Sequence, residues 1–133
     1  MITAIVRYRL PPHIDEAACR AHYERIAPGF GDVPGLLRKQ FIWSERGIAG
    51  GVYQWKDRES AERFYSGPWR EGIRQRYGAD PEIEFFKTLA IIDNPGGVVT
   101  IPYGAPDDLS TCLRDQFDEF VVANLVPVAR RTA

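Results

Sequence analysis

Apolar and polar residues alternate from the first positions of the chain. Ile2, Ala4, Val6, Tyr8 and Leu10 share one face of an extended segment, and Thr3, Ile5, Arg7 and Arg9 share the other. This predicts a strand over 2–10, stopped by Pro11-Pro12, which offer no ladder N–H. A helical period follows over about 14–26. Asp15 and Glu16 sit in its first turn, where the helix dipole favours negative charge, and Pro28-Gly29 marks its end. Ile14, Ala18, Ala21 and Arg25 form one stripe of this helix, with His22 at its edge, and the stripe is expected to face the core.

After the turn cluster 31–35, two strands are predicted at about 36–44 and 48–56. Glu45-Arg46-Gly47 between them is of hairpin length, so they should be antiparallel neighbours. Gly50-Gly51 inside the second strand predicts a bulge or a close approach. Asp57 can cap a helix that turns Ala61, Phe64 and Tyr65 inward. Gly67-Pro68 interrupts it, with Pro68 opening a second helical segment. Trp69, Ile73 and Tyr77 then recur every four residues, and Gly78 is the stop. A fourth strand is read over 82–92. Phe85, Lys87, Leu89 and Ile91 alternate there with Phe86, Thr88, Ala90 and Ile92, largely apolar on both faces, which implies a central strand.

The order β-α-β-β-α-β is that of a ferredoxin-like α+β domain over 1–94, an antiparallel four-stranded sheet with both helices on one face. The other face also receives apolar side chains, so a homodimer through sheet faces is expected. Arg7 and Arg9 lie on that face, with Glu84 as an ion-pair partner. Residues 95–133 read as a C-terminal extension. Asn94-Pro95-Gly96-Gly97 forms a linker and 98–103 a short extended piece. Leu109, Cys112, Leu113, Phe117, Phe120 and Val121 then make one amphipathic helix, expected to pack on its own or its partner's core.

Composition narrows the function classes. The 133 residues carry 17 basic and 18 acidic side chains, a net charge of −1, and 44% are hydrophobic. That balance lacks the Lys and Arg excess a nucleic-acid binder needs. No apolar run approaches the roughly 18 residues of a membrane span, and residues 1–7 lack the basic start and longer apolar stretch expected of a signal peptide. The expectation is a cytoplasmic protein with neither nucleic-acid nor membrane partners. Cys19 and Cys112 have no CxxC spacing and no clustered histidines, so neither a zinc site nor a disulfide is expected. No Gly-rich phosphate loop, GxSxG or HExxH motif is present. An enzyme or a small-molecule binder remains.

The run Val33-Pro34-Gly35-Leu36-Leu37-Arg38-Lys39-Gln40-Phe41, then Ser44-Glu45, then Ala49-Gly50-Gly51-Val52-Tyr53-Gln54-Trp55-Lys56-Asp57 and Ser60-Ala61-Glu62-Arg63-Phe64-Tyr65 is distinctive. It resembles the small monooxygenases of the YdhR-like family, in the dimeric α+β barrel superfamily, and the resemblance covers about 1–94. It implies a dimer with facing sheets, helices outside, and a small-molecule pocket between each sheet and its helices. The superfamily includes cofactor-free oxygenases of phenolic polyketides, haem-degrading enzymes, lactone isomerases, cyclases and non-catalytic binders. Its haem-degrading members rely on a histidine in the second helical region. Residues 57–78 contain none, although Trp69 is present, so no haem and no other cofactor is expected.

Candidate chemistry starts at His22, a general base able to take a proton from a phenol or an activated C–H. His13 reads as a loop residue. Tyr53 and Trp69 carry polar handles suited to holding an oxyanion, and with His22 they form the catalytic set. Tyr8, Arg25, Trp55, Phe64 and Tyr65 are the substrate-binding candidates. Arg25 would anchor an acidic or enolate substrate, or else extend to the helix end. Ala18 and Ala21 leave room either for a ligand or for close helix packing. Arg70, Arg74 and Arg76 read as a solvated face balanced by Glu71 and Asp80. With these residues, the resemblance implies a cofactor-independent monooxygenase of an aromatic or phenolic molecule. The alternatives are an isomerase, cyclase or dehydratase working through an enolate, and a non-catalytic binding or accessory protein.

Overall fold

In the computed structural model, which describes residues 1–102, the alternation of the first strand sets the core. β1 (Ile2–Arg9) buries Ala4, Val6 and Tyr8 while Ile5 and Arg7 stay half-buried on the opposite face. Hydrogen-bonded strands flank it on both sides: β3 (Ile48–Trp55) and β4 (Glu82–Lys87), both antiparallel. β2 (Leu36–Ser44) pairs with β3 through the tight connection at 45–47, giving the sheet order β2-β3-β1-β4. This is the ferredoxin-like α+β arrangement. Residues Ile2–Lys87 make one compact unit.

Gly50 shows why its strand tolerates no side chain at that point. A Cβ there would stand 1.8 Å from the Val6 carbonyl oxygen, so β1 and β3 approach over bare backbone. The helices begin where their caps dictate. Asp15 precedes α1 (Glu16–Ile26) and its carboxylate accepts from the Ala18 N–H at 2.9 Å. Asp57 precedes α2 (Arg58–Tyr65) and accepts from the Ser60 N–H at 2.7 Å. Pro68 opens α3 (Pro68–Tyr77), and Gly78 closes it in the left-handed conformation. Cys19, Ala61, Tyr65 and Tyr77 come from the helices to meet Ala4, Val6, Tyr53 and Trp55 of the sheet. Cys19 is a free, buried thiol.

Three expectations are corrected. The fourth strand stops at Lys87 and lies at the sheet edge. Lys87 pairs with Ile2, where the described β1 begins, and the strand pairing ends there. The described apolar residues after it belong to a second compact unit, which among the described residues holds Met1 and 88–102. There Asn94-Pro95-Gly96-Gly97 connects a short hairpin, β5 (Ile91–Asp93) paired antiparallel with β6 (Val98–Thr100), and is no linker. The third correction concerns α1. It turns Cys19, His22, Tyr23 and Ile26 toward the sheet and leaves Ala21 and Arg25 exposed. Burying the bulkier stripe removes more apolar area from water. The amphipathic helix expected around 109–121 lies outside the described residues. No described helix is long and apolar enough to cross a membrane.

On the face of the sheet away from the helices stand Ile5, Ile42, Val52 and Phe86, interspersed with Thr3, Gln54 and Glu84. Ile42 is 36% exposed and Phe86 42%. Arg7 and Glu84 form an ion pair across this face within the chain, at 3.5 Å.

Candidate functional site

Between β1–β3 and the helices α1 and α3 lies a cavity of about 260 Å³. Its sheet side is built by Tyr8, Lys39, Phe41, Gly50 and Tyr53, and its helix side by His22, Tyr23, Ile26, Trp69, Gly72, Ile73 and Tyr77, with Phe30 and the exposed Arg76 completing the lining. A 150 Å³ apolar cavity holds benzene, so this one has room for about two fused rings.

The expected catalytic set, His22, Tyr53 and Trp69, all line the cavity, as does Tyr8. His22 Nδ1 is buried without a hydrogen-bond partner. Burial lowers the pKa of this imidazole, and the nearby cations Arg76, Arg25 and Lys39 lower it further, so the neutral, proton-accepting form is favoured. Burial pushes the Tyr53 phenol well above its usual range, with the neighbouring Tyr65 adding to the shift. Tyr53 therefore stays an O–H donor. Trp69 packs on Tyr65 with ring centroids 5.0 Å apart.

Trp55, Phe64, Tyr65 and Arg25 do not line the cavity. Trp55 is fully buried and its Nε1–H donates to the Tyr65 hydroxyl at 3.1 Å, so the two polar handles satisfy each other inside the core. Phe64 packs against Trp55 and Trp69 at 5.5 and 5.7 Å. Arg25 points to solvent on the outer side of α1 and acts on the site only as a nearby charge on His22.

Sequence reasoning passed over three members of the lining. Tyr23 reaches the Tyr8 hydroxyl at 2.5 Å. Arg76, assigned to a solvated face, stands at the cavity and donates from Nε to the Tyr77 hydroxyl at 3.2 Å. Lys39 lies directly opposite Tyr53 in the hairpin, and its ammonium sits 3.6 Å from the centroid of Phe30 and 3.9 Å from that of Phe41. Burial pulls its pKa down to about 7. Counting back from the 45–47 turn gives that register directly, which is the signal that could have found it.

Among the described residues no cluster of three or more His, Cys, Asp or Glu is placed to hold a metal ion. No family model matches the sequence, and no curated protein matches it. Solved structures do match the fold. A protein of unknown function from Nitrosomonas europaea, NE2512, is 17% identical with a TM-score of 0.57, over 68% of this chain and 90% of its own. An antibiotic biosynthesis monooxygenase is 13% identical with a TM-score of 0.53, over 67% of this chain and 99% of its own. A monooxygenase from the ActVA-Orf6 gene of Streptomyces coelicolor, solved with the ligand nanaomycin D, is 20% identical with a TM-score of 0.50, over 68% and 89%. At these identities the likeness is one of fold alone, the α+β ferredoxin-like arrangement with its four-stranded antiparallel sheet.

Proposed function

We propose that this protein is a cofactor-independent monooxygenase of an aromatic or phenolic molecule of about two fused rings. In this reading it is a relative of the YdhR-like proteins that its first 94 residues resemble, and it works as a homodimer through the outer sheet faces. The observation that carries the reading is the unpartnered His22 Nδ1 at an aromatic-walled cavity. A buried acceptor without a donor is costly unless something supplies one, and a phenolic O–H would do so.

His22 takes the phenolic proton, and Tyr53 O–H, whose oxygen accepts from Trp69 N–H, is the donor for the resulting oxyanion. The anion passes one electron to dioxygen, and the radical pair combines to form a C–O bond to a peroxide. Loss of water then leaves a carbonyl where a ring C–H stood. One O₂ is consumed, with one oxygen atom in the quinone and one in water. The walls contribute by excluding bulk water from the anion.

Oxygen uptake with a panel of dihydroxynaphthalenes and anthrones tests this. Uptake coupled to quinone formation is expected, with His22→Ala lowering kcat by about 10²–10⁴-fold. No uptake across the panel would overturn it, and equal turnover without oxygen would favour the enolate isomerase reading.

A further inference from the structure

Among the described residues the ammonium of Lys39 has no carboxylate partner. On α2 and α3, Arg58 pairs with Glu62 at 2.8 Å, Arg63 with Glu59 at 2.9 Å, and Arg74 with Glu71 and Asp80. Lys39 is more enclosed than these, yet among the described residues its Nζ makes neither an ion pair nor a hydrogen bond. It meets only ring faces: Phe30, Phe41 and, at 4.5 Å, Tyr53. Ring faces hold a cation with its charge intact but accept none of its three N–H bonds in the ordinary way. An enclosed lysine without a partner is uncommon.

The surroundings are arranged for that side chain. A Cβ on Gly51 would stand 3.1 Å from Lys39 Cε and 2.9 Å from Tyr53 Cε1, so the absence of a side chain at Gly51 leaves Lys39 the space to lie across β3. Among the described residues the cavity lining adds Arg76 and His22 and contains no Asp or Glu, so the charged side chains of these walls are basic.

We propose that the cavity takes its ligand as an anion, an aromatic ring bearing an ionised oxygen in addition to the phenolic O–H that meets His22, and that Lys39 is the counter-ion that receives the ionised group. This rests on the reading of the cavity as an aromatic-ligand site, and it adds a charge requirement that oxygen chemistry alone does not impose. A neutral ring would leave the Lys39 donors unmet, and a cationic one would face Lys39 and Arg76 together.

The test is a charge series on one ring system, measured by calorimetry at pH 6 without oxygen turnover: 2-naphthoate, 2-naphthamide and 2-naphthylmethylammonium. Naphthoate should bind about 10-fold or more tightly than the amide, and the ammonium should show no saturable binding. Lys39→Met should erase the preference while leaving amide affinity within about 3-fold, and Lys39→Arg should retain part of it. Equal affinity for naphthoate and amide in the unaltered protein would overturn the proposal, whatever the variants do. So would the absence of saturable naphthoate binding, or a preference that survives Lys39→Met. Oxygen uptake that is indifferent to substrate charge would leave the oxygenase standing without this inference. A naphthoate preference in a protein that consumes no oxygen would do the reverse.

Discussion

The hydroxyls of Tyr8 on β1 and Tyr23 on α1 stand 2.5 Å apart, and the Tyr8 ring lies on that of Tyr77 from α3 with centroids 4.1 Å apart. Three phenols thus tie the sheet to both helices at the wall of the cavity. Burial, reinforced by Tyr23 and Tyr77, holds the Tyr8 phenol far above its ordinary pKa, so it stays neutral. Tyr23→Phe strips Tyr8 of its near partner and leaves the Tyr77 hydroxyl at 3.5 Å. The expected loss is about 1–2 kcal/mol, read as a lower urea midpoint with unchanged m.

Gly50 is the tightest point between β1 and β3. Gly50→Ala drives a methyl against the Val6 carbonyl and must pry apart the two central strands. We expect a loss of about 3 kcal/mol or more, seen as a large drop in Tm. Gly31→Ala, where nothing lies within 4 Å of the added Cβ, should change Tm little and serves as the control.

Local pattern accounts for the elements and long-range pairing for the rest. The alternation of Ala4, Val6 and Tyr8, the caps Asp15 and Asp57, and the Pro68-to-Gly78 span could all be read because each depends on neighbours a few residues away. The end of β4 could not, since it is set by where β1, some 80 residues earlier, begins to offer a partner. On α1 a count of period picked the stripe Ile14, Ala18, Ala21 and Arg25, whereas the structure turns Cys19, Tyr23 and Ile26 inward. Only the depth of the groove over the sheet decides which stripe is buried. The aromatic set illustrates the same limit. Composition cannot tell Trp55 and Tyr65, which satisfy each other, from Tyr53 and Trp69, which face the cavity.

His22 should govern the acid limb of the rate profile. Its pKa is lowered by burial and then by Arg76, Arg25 and Lys39, so kcat/KM should fall only below the ordinary histidine range. His22→Gln should remove that limb. Linkage gives a second sign: between the depressed folded value and the unfolded value near 6.5 the unfolded chain binds more protons, so His22 makes stability fall as pH drops through this window. Urea midpoints at pH 5.5 and 7.5, with and without His22→Gln, measure it.

The outer sheet face offers a separate test of the proposed dimer. Val52 stands on the central strand β3, and Ile42 and Phe86 extend the apolar surface toward both sheet edges. Val52→Arg places a charge at the middle of that face, where a second sheet would have to desolvate it. Sedimentation should shift from dimer to monomer at micromolar concentration, while Val52→Ile should leave the dimer intact.

Lys39 makes two pH responses of opposite sign, and their opposition is diagnostic. Burial holds its pKa at about 7, against an ordinary value of 10.5. A naphthoate stays ionised from pH 6 to 9, so its affinity should fall as pH rises and Lys39 loses its proton. The bound anion raises the Lys39 pKa, so the fall begins near the free value of about 7 and ends at the higher value of the complex. The ligand-free protein should respond the other way. Between about 7 and 10.5 the unfolded chain holds more protons at this residue than the folded one, so the Lys39 contribution to stability rises with pH. The groups facing it do not reproduce this pair of responses. Burial keeps Tyr53 and Tyr23 neutral, Arg76 is a permanent cation, and His22 has already lost its proton below the window. Calorimetry and urea unfolding at half-unit steps from pH 6 to 9 should therefore show affinity descending while ligand-free stability climbs. Lys39→Met should flatten both, and a flat affinity profile in the unaltered protein would remove Lys39 from ligand binding.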